Sequence, residues 1–186
     1  MLVVTLRGKA VSDCEIYTPM GVLAGTADLA PVTVDGPDLD APLEMTDPLE
    51  VTDARWYPLD GGEPGVRPLV RVAPDDLLVV VTPAPELKVH LTWYLIALDI
   101  GPYRVTGRLS THPGFDPAKS ISRPGGSFIP LSEVRIELID QPEAGSAERP
   151  HVHVNRYAVE RVRSTIMLGH YFPGAELESK QVAVPA

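Results

Sequence analysis

The chain repeats one pattern of residues at a nearly constant spacing, and this repeat constrains its fold more than any other feature. Gly107 follows Gly25 at an offset of 82, and the block 131–134 follows the similar block 51–54 at an offset of 80. A third block keeps the offset of 82, since Val154, Val159 and Val162 follow Val72, Leu77 and Val80. Three matched blocks predict two copies of one folding unit.

Composition and periodicity predict that both units consist of strands. The chain contains 20 prolines and 15 glycines, too many for a largely helical protein, because proline removes a backbone donor and clashes inside a helix. Apolar and polar residues alternate in the matched segments 49–58 and 126–139, as in half-buried strands. We therefore expect an all-β protein, with loops over residues 30–48, 111–126 and 141–150.

The repeat divides the chain into three parts. We expect a first unit at residues 1–83, a second unit at residues 84–164 and a C-terminal extension at residues 165–186. Two prolines at the junction restrict the chain there to extended conformations. The extension has no counterpart in the first half, and its adjacent Tyr171 and Phe172 indicate an interface. We favour docking on the second unit, with partner binding as the alternative.

Charge is divided unequally between the two halves. The net charge of −9 argues against a nucleic-acid binder that uses its whole surface, because such a protein needs Lys and Arg to displace counterions from phosphates. Residues 1–90 hold fifteen acidic and six basic side chains, whereas residues 91–186 hold ten of each. The first unit is therefore the acidic one.

Cysteine usage and hydropathy indicate a cytoplasmic protein with no membrane partner. The single cysteine, Cys14, cannot form an internal disulfide, which fits a reducing compartment. Its neighbours Asp13 and Glu15 disfavour a thiolate, so we expect a buried small hydrophobic residue. The longest apolar run, 89–98, is shorter than the ~20 residues that a membrane helix needs, and we expect no signal peptide from residues 1–6.

The order of predicted elements in each unit is strand, turn, strand, loop, strand, loop and two short strands around a tight polar turn. The segments with this layout are Gly21–Gly25, Val51–Ala54 and Val72–Leu77 in the first unit, and Tyr103–Gly107, Leu131–Val134 and Val154–Val159 in the second. In them the chain resembles the Sm-like family. The resemblance implies two tandem five-stranded SH3-like barrels, self-association into a homo-oligomer or ring through edge strands, and no cofactor.

The same resemblance implies a ligand site in the second unit. Sm-like proteins hold a nucleotide between the loop after the second strand and the tight turn. Here the turn would contribute Asn155 and Arg156, and the long loop Lys119 and Arg123. The equivalent turn of the first unit, residues 74–76, carries two aspartates that would repel a phosphate. We expect an anionic ligand or acidic partner to contact the second unit.

A second candidate site is the pair His151 and His153. Residues two apart in a strand share a face, so both imidazoles could bind one metal ion. The sequence does not locate a third ligand, and Arg156 and Tyr157 occupy positions where a cupin would carry a carboxylate. We favour a structural role for both histidines and predict no metal.

No segment combines a nucleophile, a base and an orienting group. Turn chemistry explains the segment 112–116, and flexibility explains the glycines of 123–126. Small barrels also fill their interiors with side chains, so we expect no substrate cavity. The sequence therefore predicts a non-enzymatic assembly or binding module, oligomeric or joined to a protein partner. The alternatives are a single-stranded RNA-binding protein that uses the second barrel and a metal-dependent, cupin-like enzyme.

Overall fold

The computed structural model describes residues 11–33, 45, 47–84, 91–111, 114 and 126–179. The strands are β1 (Val11–Thr18), β2 (Gly21–Asp28), β3 (Leu49–Pro58), β4 (Gly65–Val72), β5 (Val79–Val81), β6 (Thr92–Ile100), β7 (Tyr103–Thr111), β8 (Phe128–Leu138), β9 (Ser146–Asn155), β10 (Val159–Ser164) and β11 (Glu176–Ser179). Single-turn 3₁₀ helices lie at Pro74–Asp76 and Pro142–Ala144. The prediction of an all-β protein is confirmed, and no helix in the described ranges is long and apolar enough to cross a membrane.

The described strands form one open sheet in the order β11-β10-β6-β7-β8-β9-β5-β1-β2-β3-β4. Two separate closed barrels are therefore not confirmed. The first unit nevertheless has the strand order β5-β1-β2-β3-β4, and the second unit has the matching order β10-β6-β7-β8-β9. The predicted boundary between residues 83 and 84 falls between β5 and β6. The units join where β9 pairs with β5.

Strand registers repeat at the spacing that the sequence predicts. The matched pairs are Ile16 with Val80 and Leu98 with Val162, then Leu49 with Val72 and Ile129 with Val154. Each partner in the second unit follows its counterpart in the first at an offset of either 80 or 82. The sequence repeat is thus a repeat of strand order and of register.

Each unit has a bulge at the glycine that marks the repeat. The register of β2 on β3 shifts at Gly25, and that of β7 on β8 shifts at Gly107. Opposite these glycines, Asp53 and Glu133 both adopt a φ of 51°. A Cβ atom on Gly25 would lie 2.6 Å from the Thr52 carbonyl oxygen. Glycine is therefore required because backbone occupies the space of a side chain.

The bulge also corrects the alternation predicted for β3. Strict alternation over 49–58 places Leu49, Val51 and Asp53 on one face. Leu49 and Val51 are buried, but Asp53 is exposed. The extra residue of the bulge reverses the pattern, so Ala54 is buried instead. A strict period of two cannot anticipate this reversal.

Two hydrophobic cores lie on opposite faces of the continuous sheet, and β5 contributes to both. Val79 packs in the core of the second unit, together with Tyr17 from β1. Val80 packs in the core of the first unit, together with Ile16 from β1. Successive strand residues point to opposite faces, so this short strand is buried on both sides.

One strand begins inside a predicted loop, and one strand was not predicted. β9 begins at Ser146, within the segment 141–150. The early start of β9 overturns the predicted loop at 141–150, because β8 and β9 form a long hairpin in which Glu137 pairs with Ser146. The unpredicted strand is β11, which pairs with β10 in parallel.

Two predictions about buried residues are confirmed. Leu168, Tyr171 and Phe172 of the C-terminal extension are buried in the core of the second unit, so the extension docks within its own chain. Cys14 is buried in the first core. Burial and the nearby Asp13 raise the pKa of its thiol to about 11, which keeps the thiol protonated at neutral pH.

Substituting the bulge glycine tests the requirement for a bare backbone. We expect Gly25→Ala to lower the free energy of unfolding by about 1–3 kcal/mol, because the added methyl group overpacks against β3. Gly65→Ala is the control, since a Cβ atom there meets nothing within 4 Å. Denaturant unfolding followed by circular dichroism measures both. Equal stability of the two variants would contradict the requirement.

Candidate functional site

The tight turns of the two units contact each other at the junction. The Asn155 backbone N–H donates to the Leu78 carbonyl at 2.9 Å, and its side-chain amide donates to the Pro74 carbonyl at 3.2 Å. The side-chain oxygen of Asn155 accepts from the Tyr157 N–H at 3.1 Å. The Asn155 side chain is therefore engaged in holding the turns together, and the residue is 6% exposed.

Arg156 lies inside the protein rather than on a ligand-binding loop. It is 1% exposed, its backbone N–H donates to the Ser127 carbonyl at 2.9 Å, and its guanidinium donates to the His170 carbonyl. The guanidinium carbon also lies 5.5 Å from the centre of the Tyr157 ring. These contacts tie the C-terminal extension to the second unit. The expectation that Arg156 presents a cation to a ligand is not supported.

The other two basic residues predicted for this site cannot be placed. Lys119 and Arg123 lie outside the described residues. Of the four residues predicted to bind a ligand, the structure describes two, Asn155 and Arg156. Both are buried.

His151 and His153 share a face of β9, as predicted, and both are buried. Their rings meet edge to face with centroids 5.1 Å apart. Nδ1 of His153 lies 3.0 Å from the Thr82 hydroxyl, and Nδ1 of His151 lies 3.2 Å from the Ser132 hydroxyl. Nε2 of His153 has no hydrogen-bond partner among the residues that the structure describes. Within the described ranges no three His, Cys, Asp or Glu residues cluster to hold a metal ion.

Contrary to the expected absence of a cavity, a cleft of about 970 Å³ lies beside β3 and the start of β8. Its lining is largely apolar, and it includes three carboxylates, those of Asp28, Asp47 and Glu50. Neither histidine of β9 nor Cys14 belongs to the described lining. The described residues of the cleft therefore offer carboxylates and hydroxyls without a histidine or cysteine to activate them.

The junction between the units is a short antiparallel pairing of β5 with β9. Val79, Val80 and Val81 pair with Val154, His153 and Val152, respectively. An ion pair adds to this joint, because the guanidinium of Arg149 in β9 reaches both carboxylate oxygens of Glu15 in β1, at 2.7 and 2.8 Å. Three paired residues of β9 and this ion pair thus help to join the second unit to the first.

The strand β4 is the counterpart of β9, but it lies at the edge of the described sheet. In β9 the backbone groups of alternate residues face β5: Thr82 N–H donates to the His151 carbonyl at 3.3 Å, and Asn155 N–H donates to Leu78. By the repeat, Leu69 and Arg71 direct their backbone groups outward from β4. The candidate functional site is therefore this edge, residues 69–72, which no described strand covers.

A sequence signal for this edge exists, and our reading of the sequence missed it. Arg67-Pro-Leu-Val-Arg-Val72 and Arg149-Pro-His-Val-His-Val154 share four of six residues at the offset of 82. Each proline falls opposite a bulge, where the paired registers skip Asp53 and Glu133. Proline has no N–H to donate at this position, which fits the one pair missing from each ladder. The motif marks the fourth strand of each unit, and in the second unit this strand pairs with β5.

The buried histidines make the stability of the junction dependent on pH. Burial, with a smaller effect of His151, lowers the pKa of His153 from 6.5 to about 4, and burial lowers the pKa of His151 as well. As the pH falls, the unfolded chain binds protons first, so stability decreases below about pH 6.5. We expect a loss of about 2 kcal/mol in unfolding free energy from His153 between pH 7 and pH 5.

Denaturant unfolding at the two pH values, with His153→Gln as the variant, measures this effect. The variant should lose less stability on acidification than the wild type, because the glutamine does not titrate. Parallel pH profiles for the two proteins would show that His153 does not carry the dependence.

Comparisons with protein-family models, with curated proteins and with solved structures found no match to this chain. The candidate site therefore stands on the geometry of the two units and their junction.

Proposed function

We propose that the chain is a non-enzymatic assembly module that adds a strand of a partner protein to the open edge of β4. In this proposal the two units are SH3-like barrels of the Sm-like type, and the protein works in the cytoplasm. The observation that carries the proposal is the pairing of β5 with β9. The fourth strand of the second unit already receives a strand, and the fourth strand of the first unit has the same motif and ends the sheet formed by the described strands.

The junction indicates what kind of strand β4 accepts. At the junction, β9 presents Val152 and Val154 to two valines of β5. The equivalent residues of β4 are Val70 and Val72. An occupant should therefore run antiparallel to β4 and carry apolar side chains at two alternate positions. The residue of the occupant between these two positions lies opposite Arg71, whose guanidinium lies 2.9 Å from the Glu50 carboxylate.

A second copy of the chain is a poorer occupant than a different protein. In a head-to-tail ring, β10 would take the place of β5, and its Arg161 and Arg163 would stand opposite Val72 and Val70 of the second copy. Val72 is buried, and placing two cations against an apolar surface carries a large desolvation penalty. We therefore propose that β4 binds a strand of a different protein rather than a second copy of this chain. Nothing in the described residues favours RNA, because Arg156 is buried.

A synthetic copy of β5 tests the open edge. The probe is a labelled peptide with the sequence of residues 77–82, extended by two lysines for solubility, and its binding to the full chain is followed by fluorescence anisotropy. We expect saturable binding to the wild type. Arg71→Pro should weaken it by about tenfold or more, because proline removes an outward N–H.

Arg71→Ala is the matched control, since it removes the same side chain and keeps the N–H. It should bind the peptide within about threefold of the wild type, because exposed ion pairs contribute little. Equal binding by Arg71→Pro and Arg71→Ala would overturn the proposal, as would absence of binding by the wild type. Light scattering measures the molar mass of the chain without peptide. If a second copy occupies β4, the wild type should form a homo-oligomer and Arg71→Pro should dissociate it.

A further inference from the structure

The second sheet edge, at β10, is covered by the last described strand of the same chain. β10 is the counterpart of β5, and each of these strands receives one added strand: β9 on β5 and β11 on β10. The two added strands differ in direction, because β9 is antiparallel to β5 and β11 is parallel to β10. The edge of β10 is therefore built to take a strand, but not one oriented like β9.

The two edges differ in charge at equivalent positions. Val79 and Val81 of β5 correspond to Arg161 and Arg163 of β10 at the offset of 82. Where β5 pairs with valines of β9, Arg161 pairs with Glu176 and Arg163 pairs with Glu178. The apolar junction of the first unit is thus replaced by an ionic junction in the second.

An aspartate of β6, the other neighbour of β10, holds the arginines of β10 in place. Asp99 of β6 accepts two hydrogen bonds from Arg163, both at 2.9 Å, and two from Arg104 of β7, at 2.8 and 3.4 Å. Burial raises the pKa of Asp99, but the hydrogen bonds from Arg163 and Arg104 outweigh burial and hold the pKa below its ordinary value. The Asp99 contacts do not involve β11, so they preorganise the arginine side of this edge whether or not β11 is present.

The ion pairs between β11 and β10 differ in exposure, and the Glu178 and Arg163 side chains are only 23% and 20% exposed. Arg161 lies 3.1 Å from both Glu176 and Glu178, and Arg163 lies 3.1 Å from Glu178. The Glu176 side chain is 66% exposed, and exposed ion pairs contribute about 0–1 kcal/mol each. The anchor of the extension is separate, because Tyr171 and Phe172 are buried before β11 begins. β11 can therefore leave β10 while the extension stays docked.

We propose that the edge of β10 is a second docking site, selective for an extended protein segment with acidic residues at two alternate positions and an apolar residue between them, and that β11 is its built-in competitor. The partner segment replaces Glu176, Leu177 and Glu178 on Arg161, Val162 and Arg163. This proposal extends strand addition to the opposite edge of the sheet. It concerns residues remote from β4, so it stands or falls separately from the proposed function.

The probe is a labelled peptide with the sequence of residues 175–179, tested against the full chain. The tether gives β11 a high effective concentration, so we expect weak binding to the wild type. Glu176→Lys combined with Glu178→Lys repels β11 from the arginines and should strengthen peptide binding about tenfold or more. The binding should weaken with added salt, and a peptide with lysines at both glutamate positions should not bind.

Glu63→Lys combined with Glu143→Lys is the control, because it makes the same change in net charge at two exposed residues distant in sequence from β10. It should bind the peptide like the wild type. Equal affinity of the two double variants, or binding of the lysine peptide, would overturn the proposal.

Hydrogen exchange on the wild type supplies a test that does not depend on any variant folding. The amides of β11 should exchange at least about tenfold faster than those of β10, and exchange of both strands at one common rate would exclude a detachable β11.

Discussion

The structure depends on one short strand, β5, that is paired along both edges and buried on both faces. Its edges bond to β1 and β9, and its valines reach into two different cores. Val79 and Val80 are each 0% exposed, which explains why the segment 77–81 is continuously apolar instead of alternating. The two units are consequently one sheet with a shared central strand, and neither core is complete without residues from both units.

The two units share their strand order and registers but differ in the residues of the strand that receives an added strand. The bulge glycines, the registers and the order of strands are the same in both units. One difference lies at the fifth strand, where Val79 and Val81 in one unit correspond to Arg161 and Arg163 in the other. Apolar pairing suits a permanent joint, because it survives changes of salt, whereas ionic pairing in contact with water is weaker and is screened. The chemistry of each edge therefore fits a different lifetime of contact.

The sequence predicted the repeat because spacing and alternation are local properties that backbone geometry enforces. It predicted the docking of Tyr171 and Phe172 for a similar reason, since two adjacent aromatic residues rarely remain in water. It did not predict that Arg156 is buried, because that depends on a contact with His170 across the fold. β11 was missed since it pairs through charges, and alternating glutamates look like a solvated segment.

A shared strand has a consequence for the order in which the chain leaves the ribosome. The first unit emerges before the second, and until then Tyr17 and Val79 have no core to enter, because their packing partners belong to the later half. The nascent chain therefore carries an uncovered apolar face for the time needed to make roughly 80 more residues, at about 5–20 residues per second. Fifteen acidic side chains in residues 1–90 give this intermediate a strong negative charge, which keeps such chains apart by mutual repulsion. The charge asymmetry between the halves thus acts during synthesis, before any partner is met.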